Sequence, residues 1–434
     1  MTTPHDFEVI VIGAGAAGLL AAIRSAELGK STLLIEKNRK VGVKILISGG
    51  SRCNVTHNTD RKGIIEGFGK NGKFLHSALT QFGPQDVVAM LLAEGVETKV
   101  EPNGKIFPGS DKAFDVQQAL LRRMQRSGCQ LANQQTVTNV QPIDHGFQVT
   151  TVDQAFDCQK VIVTTGGLSY PGCGTTGDGY PWMRALGHTV THTYPALVPL
   201  RSEADWVHQL KGIALPAANV SVLENAWLDK TTDIDSRWAM VRKRSLIQRQ
   251  APLLFTHFGL SGPAAMDVSK AISSHPEPRS LNCVVDSLPA TDIHILAQKL
   301  QNAIQANGNR TIGRILSHDL LLDTDIPERL ADTFLSLANV DKSRKAAEVS
   351  KVDRIRIVQN LKMLTIPVTQ TLGYEKAEVT TGGVVLAEVD PKTMQSKICP
   401  GLFLAGEILD LDGRIGGFNF QAAFSTGWVA GTNV

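Results

Sequence analysis

The chain of 434 residues has little cysteine, and what it has is not arranged for chemistry. Cys53, Cys129, Cys158, Cys173, Cys283 and Cys399 form no C-x-x-C and no metal-ligand spacing. That argues against a dithiol redox centre, a disulfide framework and a bound metal. No run of about 18 apolar residues occurs, so no membrane-spanning helix and no membrane partner are expected. The opening MTTPHDFE has no basic segment leading into an apolar one, so no leader is expected either. Charge of one sign is also missing: 44 Lys and Arg stand against 41 Asp and Glu, a net of +3. So small an excess predicts no nucleic-acid partner by itself. The densest basic stretch, Arg242-Lys243-Arg244 with Arg237 and Arg249 nearby, reads as a solvated loop or strand face. These absences describe a soluble, cytoplasmic protein of two or three domains, with its oligomeric state left open.

What the chain does have is glycine, in clusters. Residues 8–37 read EVIVIGAGAAGLLAAIRSAELGKSTLLIEK. An apolar strand-type run, Glu8–Ile12, enters Gly13-Ala14-Gly15-Ala16-Ala17-Gly18, which fits G-x-G-x-x-G. A helix-type stretch follows, then a second apolar run, Thr32–Ile35, closed by Glu36. Gly13 suits the tight turn, Gly15 lets a pyrophosphate approach the backbone, and Gly18 allows close helix–sheet packing. The helix start offers unpaired N–H groups to phosphates. Glu36 lies 18 residues past Gly18, where a carboxylate accepts both hydroxyls of an adenosine ribose. The motif predicts a dinucleotide site and does not separate NAD from FAD.

Glycine-rich segments recur at Ser48-Gly49-Gly50-Ser51, Thr165-Gly166-Gly167 and residues 172–179. From about Val198 the texture changes to alternating strands and amphipathic helices without a ligand-type glycine motif. Motifs return in the tail, at Thr381-Gly382-Gly383 and in GLFLAGEILDLDGRIGGFNFQAAFSTGWVAG, residues 401–431. There a strand ends in Gly406-Glu407, and Gly416-Gly417-Phe418-Asn419 opens a helix whose N–H groups suit the anionic end of a reduced flavin. The tail favours FAD.

Together with KILISGGSRCNVT (44–56), KIFPGSDKAFDV (105–116), TTGDGY (175–180), LFTHFGLSGPA (254–264) and VTTGGV (379–384), these stretches resemble a family almost end to end. It is that of bacterial FAD-dependent oxidoreductases of the aminoacetone-oxidase and bile-acid dehydro-reductase type, within the two-dinucleotide-binding-domain flavoproteins. The resemblance implies an α/β fold: a Rossmann-like FAD-binding domain built from both chain ends, residues 1–197 and 365–434. An inserted β-barrel-like domain, 198–364, would carry a small helical subdomain at about 290–340. It implies FAD contacts at Gly13, Gly15, Ala16, Ala17 and Gly18 for the pyrophosphate and at Glu36 and Lys37 for the adenosine. Ser48 and Gly49 would lie along the cofactor, Val137 would meet adenine by its backbone, and Thr165 and Gly166 would line the same half. Gly406, Glu407, Gly417, Phe418 and Asn419 would hold the flavin half. The chain departs from the family at Ser51, which is usually glycine, at His57, usually asparagine, and at Phe418, commonly tyrosine.

Single cysteines and histidines are more often packed or hydrogen-bonded structural residues than catalytic ones, and that is the reading for Cys53, His57, His188, His192 and His257. Asp410 and Asp412 read as loop-shaping residues. No Ser/His/Asp set follows from spacing, so no catalytic residue and no metal ligand is named. The expected function is hydride transfer between FAD and a small organic substrate, with NAD(P)H as a transient donor or oxygen as acceptor. The rivals are an NAD-dependent dehydrogenase without flavin, which the tail disfavours, and a flavin-containing RNA-associated protein, which the net charge disfavours.

Overall fold

A computed structural model describes residues 6–228, 233–321 and 326–434. The first residues of the stretch read for a leader, and 322–325 of the expected helical region, lie outside them. The chain divides into two compact units, residues 1–194 with 378–434 and residues 195–377. Both ends of the chain therefore share one unit.

In that unit strand β1 (Phe7–Ile12) leads through the first glycines into helix α1 (Ala16–Glu27) and strand β2 (Thr32–Glu36). β1 pairs in parallel with β2, Val9 opposite Thr32, and with the strand Ala155–Val163, Val9 opposite Lys160. Gln130–Asn133 extends the sheet beyond β2, and Leu402–Leu404 from the chain's end lies parallel to Val161–Val163. Strands covered on both faces read as unbroken apolar runs, which is why VIVI and TLLIE carry no alternation. The stretch from Cys129 to Ile143 forms two strands, Gln130–Asn133 and Val137–Ile143, with Gln134 between them at φ +58°. A left-handed residue turns the chain and ends a ladder. Residues 76–93 likewise form two helices, His76–Gln81 and Pro84–Ala93, because Pro84 can open a helix but not continue one.

The C-terminal helix, Phe418–Asn433, lies against α1. A Cβ on Gly427 would stand 2.2 Å from the Ala17 carbonyl oxygen, and one on Gly431 would stand 2.3 Å from that of Ala21. Gly427 and Gly431 thus bring the two helices together backbone to backbone.

The second unit holds a seven-stranded antiparallel sheet. Its order is Leu364–Pro367, Leu281–Asp286, Ala214–Glu224, Ile247–Thr256, Gly259–Ser261, Leu200–Arg201, Gln370–Thr371. Helices Gly262–Ser273, Ile293–Ala306, Glu328–Leu337 and Lys351–Lys362 share its core. Asp292 starts one of them by accepting the His294 N–H at 2.9 Å, and Ser350 starts another by accepting that of Asp353 at 3.1 Å. Lys362 is buried with its three donors used: Asp286 Oδ2 at 2.6 Å and the carbonyls of Leu288 and Thr291 at 2.8 Å. The basic stretch expected on a loop or strand face lies mainly on a helix, Ile234–Arg244. Among the described residues no helix is long and apolar enough to cross a membrane.

Candidate functional site

The glycines of the fingerprint divide by job. Gly13 has φ +100°, and a Cβ there would meet the Thr164 carbonyl oxygen at 2.8 Å. A Cβ on Gly18 would stand 1.8 Å from the Gly13 oxygen. These two are required by the chain's own turn and packing. A Cβ on Gly15 would meet no protein atom within 4 Å, so packing does not require glycine there; a ligand approaching the backbone would. Gly15 is also the N-cap of α1, and no side chain caps that end. The first-turn N–H groups of Ala16, Ala17 and Gly18 therefore lack a side-chain acceptor, which is the arrangement that binds phosphate.

Glu36 is buried beneath this loop. Its Oε2 accepts the Ala14 N–H at 2.9 Å and its Oε1 the Asn38 N–H at 2.8 Å. Each oxygen keeps a further acceptor position. The Gln135 N–H donates to the Glu36 carbonyl at 2.9 Å, which brings the buried Val137 strand to the same edge. Lys37 turns to Thr176 Oγ1 at 2.6 Å and to the Asp178 carboxylate, tying β2 to the 172–179 loop. Asn38 ties it again, donating to the Cys173 carbonyl at 3.0 Å. Thr165 Cα lies 3.2 Å from where a Gly13 Cβ would be, and the buried Thr165 hydroxyl has no protein partner. Gly166 beside it has φ +74°. A buried hydroxyl without a partner, next to an uncapped helix start, fits a polar ligand along this edge.

Ser48 and Gly49 interrupt a helix that begins at Val43. Ser48 is extended at ψ 150°, and Gly49, Gly50 and Ser51 follow with φ of +55°, +68° and +67°. Ser51, where the resembled family has glycine, takes the left-handed conformation all the same. Gly49 has no room for a side chain: a Cβ would stand 3.1 Å from the Asn54 nitrogen and 3.2 Å from the Phe107 ring. Cys53 is wholly buried, and burial pushes its thiol up to about 12, so it carries no thiolate.

At the other end, Gly406 approaches α1 closely: its Cβ would lie 2.8 Å from that of Ala17. Glu407 is not a lone carboxylate. Its Oε2 accepts from Lys44 Nζ at 2.7 Å, and its Oε1 accepts the Ser169 hydroxyl at 2.5 Å and the Thr380 N–H at 2.9 Å. Lys44 also reaches Ser169 Oγ at 2.7 Å, and Thr380 Oγ1 accepts the N–H groups of Leu168 and Ser169. Lys44, Ser169 and Thr380 were not singled out by sequence, although each lies inside or beside a motif quoted above. Their joint role needs three distant segments to meet.

Gly417 caps the C-terminal helix in the left-handed region, at φ 90°, with no side-chain cap, and a Cβ there would strike the Thr56 carbonyl at 2.4 Å. The Phe418 ring is 1% exposed, stacked on His57 at 4.8 Å and covered by the Arg414 guanidinium at 4.5 Å. His57, for its part, meets the Gly416 carbonyl through Nδ1 at 3.0 Å. Asn419 clamps the preceding loop, accepting the Gly413 N–H at 2.8 Å and donating to its carbonyl at 2.9 Å. Asp410 and Asp412 hold Gly382 N–H and Thr381 Oγ1, at 3.1 and 2.7 Å. Both do shape the loop. His188 joins Glu388 and Ser396 at 3.0 and 2.8 Å, a structural clamp.

This cradle is assembled from both chain ends, and almost the whole chain matches a known family model. The model described as HI0933-like protein Rossmann domain matches residues 7–433. The chain belongs to this family. It is an FAD-dependent oxidoreductase with a Rossmann nucleotide-binding fold. Among HI0933-like relatives, it is 30% identical over 426 residues to the ribosomal RNA dihydrouridine synthase of Escherichia coli K12, covering 97% of this chain and 96% of that one. It is 30% identical over 433 residues to the protein of the same name from Haemophilus influenzae Rd, covering 98% of each. It is 26% identical over 424 residues to the 3-dehydro-bile acid delta(4,6)-reductase of Clostridium scindens, covering 97% of each.

Proposed function

We propose that this HI0933-like protein is a reductase that saturates a carbon–carbon double bond conjugated to a carbonyl, and that its substrate is a uracil base in ribosomal RNA. The observation that carries the reading is the match, over nearly the full length of both partners, to two relatives named for making dihydrouridine in ribosomal RNA. The bile-acid relative points to the same bond type, because its name describes reduction of alkenes in a 3-keto acid. Uracil C5=C6 is likewise conjugated to a carbonyl, and a hydride with a proton saturates it.

The residues present fit FAD. The uncapped start of α1, with Gly13, Gly15, Ala16, Ala17 and Gly18, would take the pyrophosphate. Glu36, with Lys37 and the backbone of Val137, would hold the adenosine, and Thr165 and Gly166 would line that half. Ser48, Gly49, Gly406 and Glu407 would lie along the cofactor. Gly417, with the backbone of Phe418 and with Asn419 fixing the loop, would present N–H groups to the flavin end. Bound FAD supplies a two-electron hydride donor and acceptor. The protein orients it and favours negative charge at the helix N-terminus that Gly417 caps. A nicotinamide nucleotide, visiting transiently, is the proposed reductant, and unbridged cysteines fit a reducing, cytoplasmic setting.

The test is incubation of the FAD-loaded enzyme and NADPH with ribosomal RNA from cells lacking this protein, followed by nucleoside mass spectrometry. A uridine that gains two hydrogens is expected. If no nucleoside changes while the same preparation reduces a steroid-type enone, the small-molecule reading suggested by the bile-acid relative replaces it.

A further inference from the structure

We propose that the end of helix Ile234–Arg244 binds the phosphate backbone of RNA; the proposal rests on the RNA reading above. Arg242, Lys243 and Arg244 are consecutive and all exposed. Several other basic side chains of this unit are ion-paired: Arg249 with Asp267 at 2.6 Å, Arg279 with Glu203 at 2.9 Å, Arg310 with Asp319 at 2.7 Å and Lys342 with Asp332 at 2.6 Å. Among the described residues none of the three at the helix end has an ion-pair partner.

The bland account of cations in a last helical turn is that they satisfy its carbonyls and complement its dipole. Here the Val241 carbonyl already accepts from the Ser245 hydroxyl and from Gln248 Nε2 at 3.4 Å. Gln248 lies on the next strand, and the Leu246 N–H donates to the Val222 carbonyl at 2.9 Å. The helix end is thus pinned without help from the cations. The Arg244 guanidinium lies over the half-buried Trp227 ring, 4.2 Å from its centroid, which orders one charge and sets an aromatic face beside it. Exposed cations beside an aromatic surface are the chemistry of nucleic-acid backbones and unstacked bases. An anionic membrane would also attract the charges. The helix's apolar residues Ile234, Trp238 and Val241 pack into the unit's core, however, and are not free to insert. The net charge of +3 does not oppose the proposal, because phosphate contacts depend on local density.

The experiment is filter binding of the full-length, FAD-loaded protein to deproteinised ribosomal RNA across a salt series. Two variants are compared with the wild type, R242E/K243E/R244E and the milder R242Q/K243Q. Loss of three phosphate contacts should reduce the slope of log affinity against log salt by about 2 and weaken low-salt binding at least roughly tenfold. The milder variant should fall between and carries the test if the triple one does not fold. Flavin absorbance should be unchanged. Wild-type binding with both variants equal to it in affinity and slope overturns the site and leaves the RNA reading intact. Failure of the wild type to bind RNA at any salt overturns both. Loss of binding to phosphatidylserine vesicles, with RNA binding unaffected, makes the patch a membrane contact and overturns the proposal.

Discussion

Lys44 places its ammonium 2.7 Å from Glu407 Oε2, across 363 residues of chain. Both side chains are less than a third exposed, at 28% and 18%. The pair joins the helix after β2 to the turn that follows the Leu402–Leu404 strand, and Ser169 completes it from a third segment. Lys44→Met leaves a half-buried carboxylate short of its counter-charge. It should destabilise the protein by about 1.5–3 kcal/mol, the range for hydrogen bonds to charged groups. Adding Glu407→Gln should recover part of that. Denaturant melts of the four combinations give the coupling, and additive effects would show that the pair contributes nothing.

Gly15 and Gly18 should separate ligand binding from folding. Gly18→Ala drives a Cβ to 1.8 Å from the Gly13 oxygen and should leave little folded protein. Gly15→Ala meets no protein atom within 4 Å, so the apoprotein should melt as the wild type does while FAD affinity falls at least roughly tenfold, about 1.4 kcal/mol. Equal FAD affinity in Gly15→Ala would remove the pyrophosphate from this position.

Glu36→Ala should weaken FAD by about 1.5–3 kcal/mol, roughly one to two decades. Because Glu36 also holds the Ala14 and Asn38 N–H groups, part of the loss is loop order. Glu36→Gln keeps one acceptor oxygen and should lose less. FAD titration followed by flavin fluorescence measures both, and full retention in Glu36→Ala would exclude it as the ribose ligand.

Burial pushes the thiols of Cys53, Cys129, Cys158 and Cys283 up to about 12. In the unfolded chain they ionise near about 8.5. Above that value the folded state keeps protons that the unfolded state has released. Their contribution to stability is therefore complete below about pH 8.5 and declines as pH rises towards 12. Denaturation midpoints across that range should fall, and fall less in Cys283→Ala. These thiols should also resist alkylation at pH 8 until the protein unfolds, and rapid native labelling of Cys53 would contradict its burial.

NADH and NADPH should bind weakly. The chain has one strand–G-x-G-x-x-G–helix unit with a trailing acid; Gly172-Cys173-Gly174-Thr175-Thr176-Gly177 repeats the glycine spacing, but it starts within a 3-10 turn, Pro171–Cys173, and not at the end of a strand. A dissociation constant above about 100 μM is expected, less than roughly 5.5 kcal/mol of binding. Calorimetry returning micromolar affinity for the oxidised protein would reveal a nucleotide site of another kind.

The sequence by itself determined the β1–loop–α1–β2 unit, because its signals are contiguous: apolar runs, glycine spacing and a trailing acid act through local sterics within 30 residues. It also determined which strands are buried on both faces. The tertiary structure alone decided the rest. Gly15 and Gly18 look alike in sequence and differ because only Gly18 faces the Gly13 carbonyl. Phe418 sits in a ligand-type motif, yet its ring turns onto His57 and Arg414, since Gly67 leaves room for it on that side: a Cβ on Gly67 would stand 2.3 Å from the ring. The basic run read as a loop or strand face, because three adjacent cations carry no period, and it lies mainly on a helix whose end is held by Gln248 and Ser245. Lys44, Ser169, Thr380 and Glu407 meet only when four segments pack together. A short-range pattern records how the chain turns and which face is apolar. Which distant charge neutralises which is settled by packing.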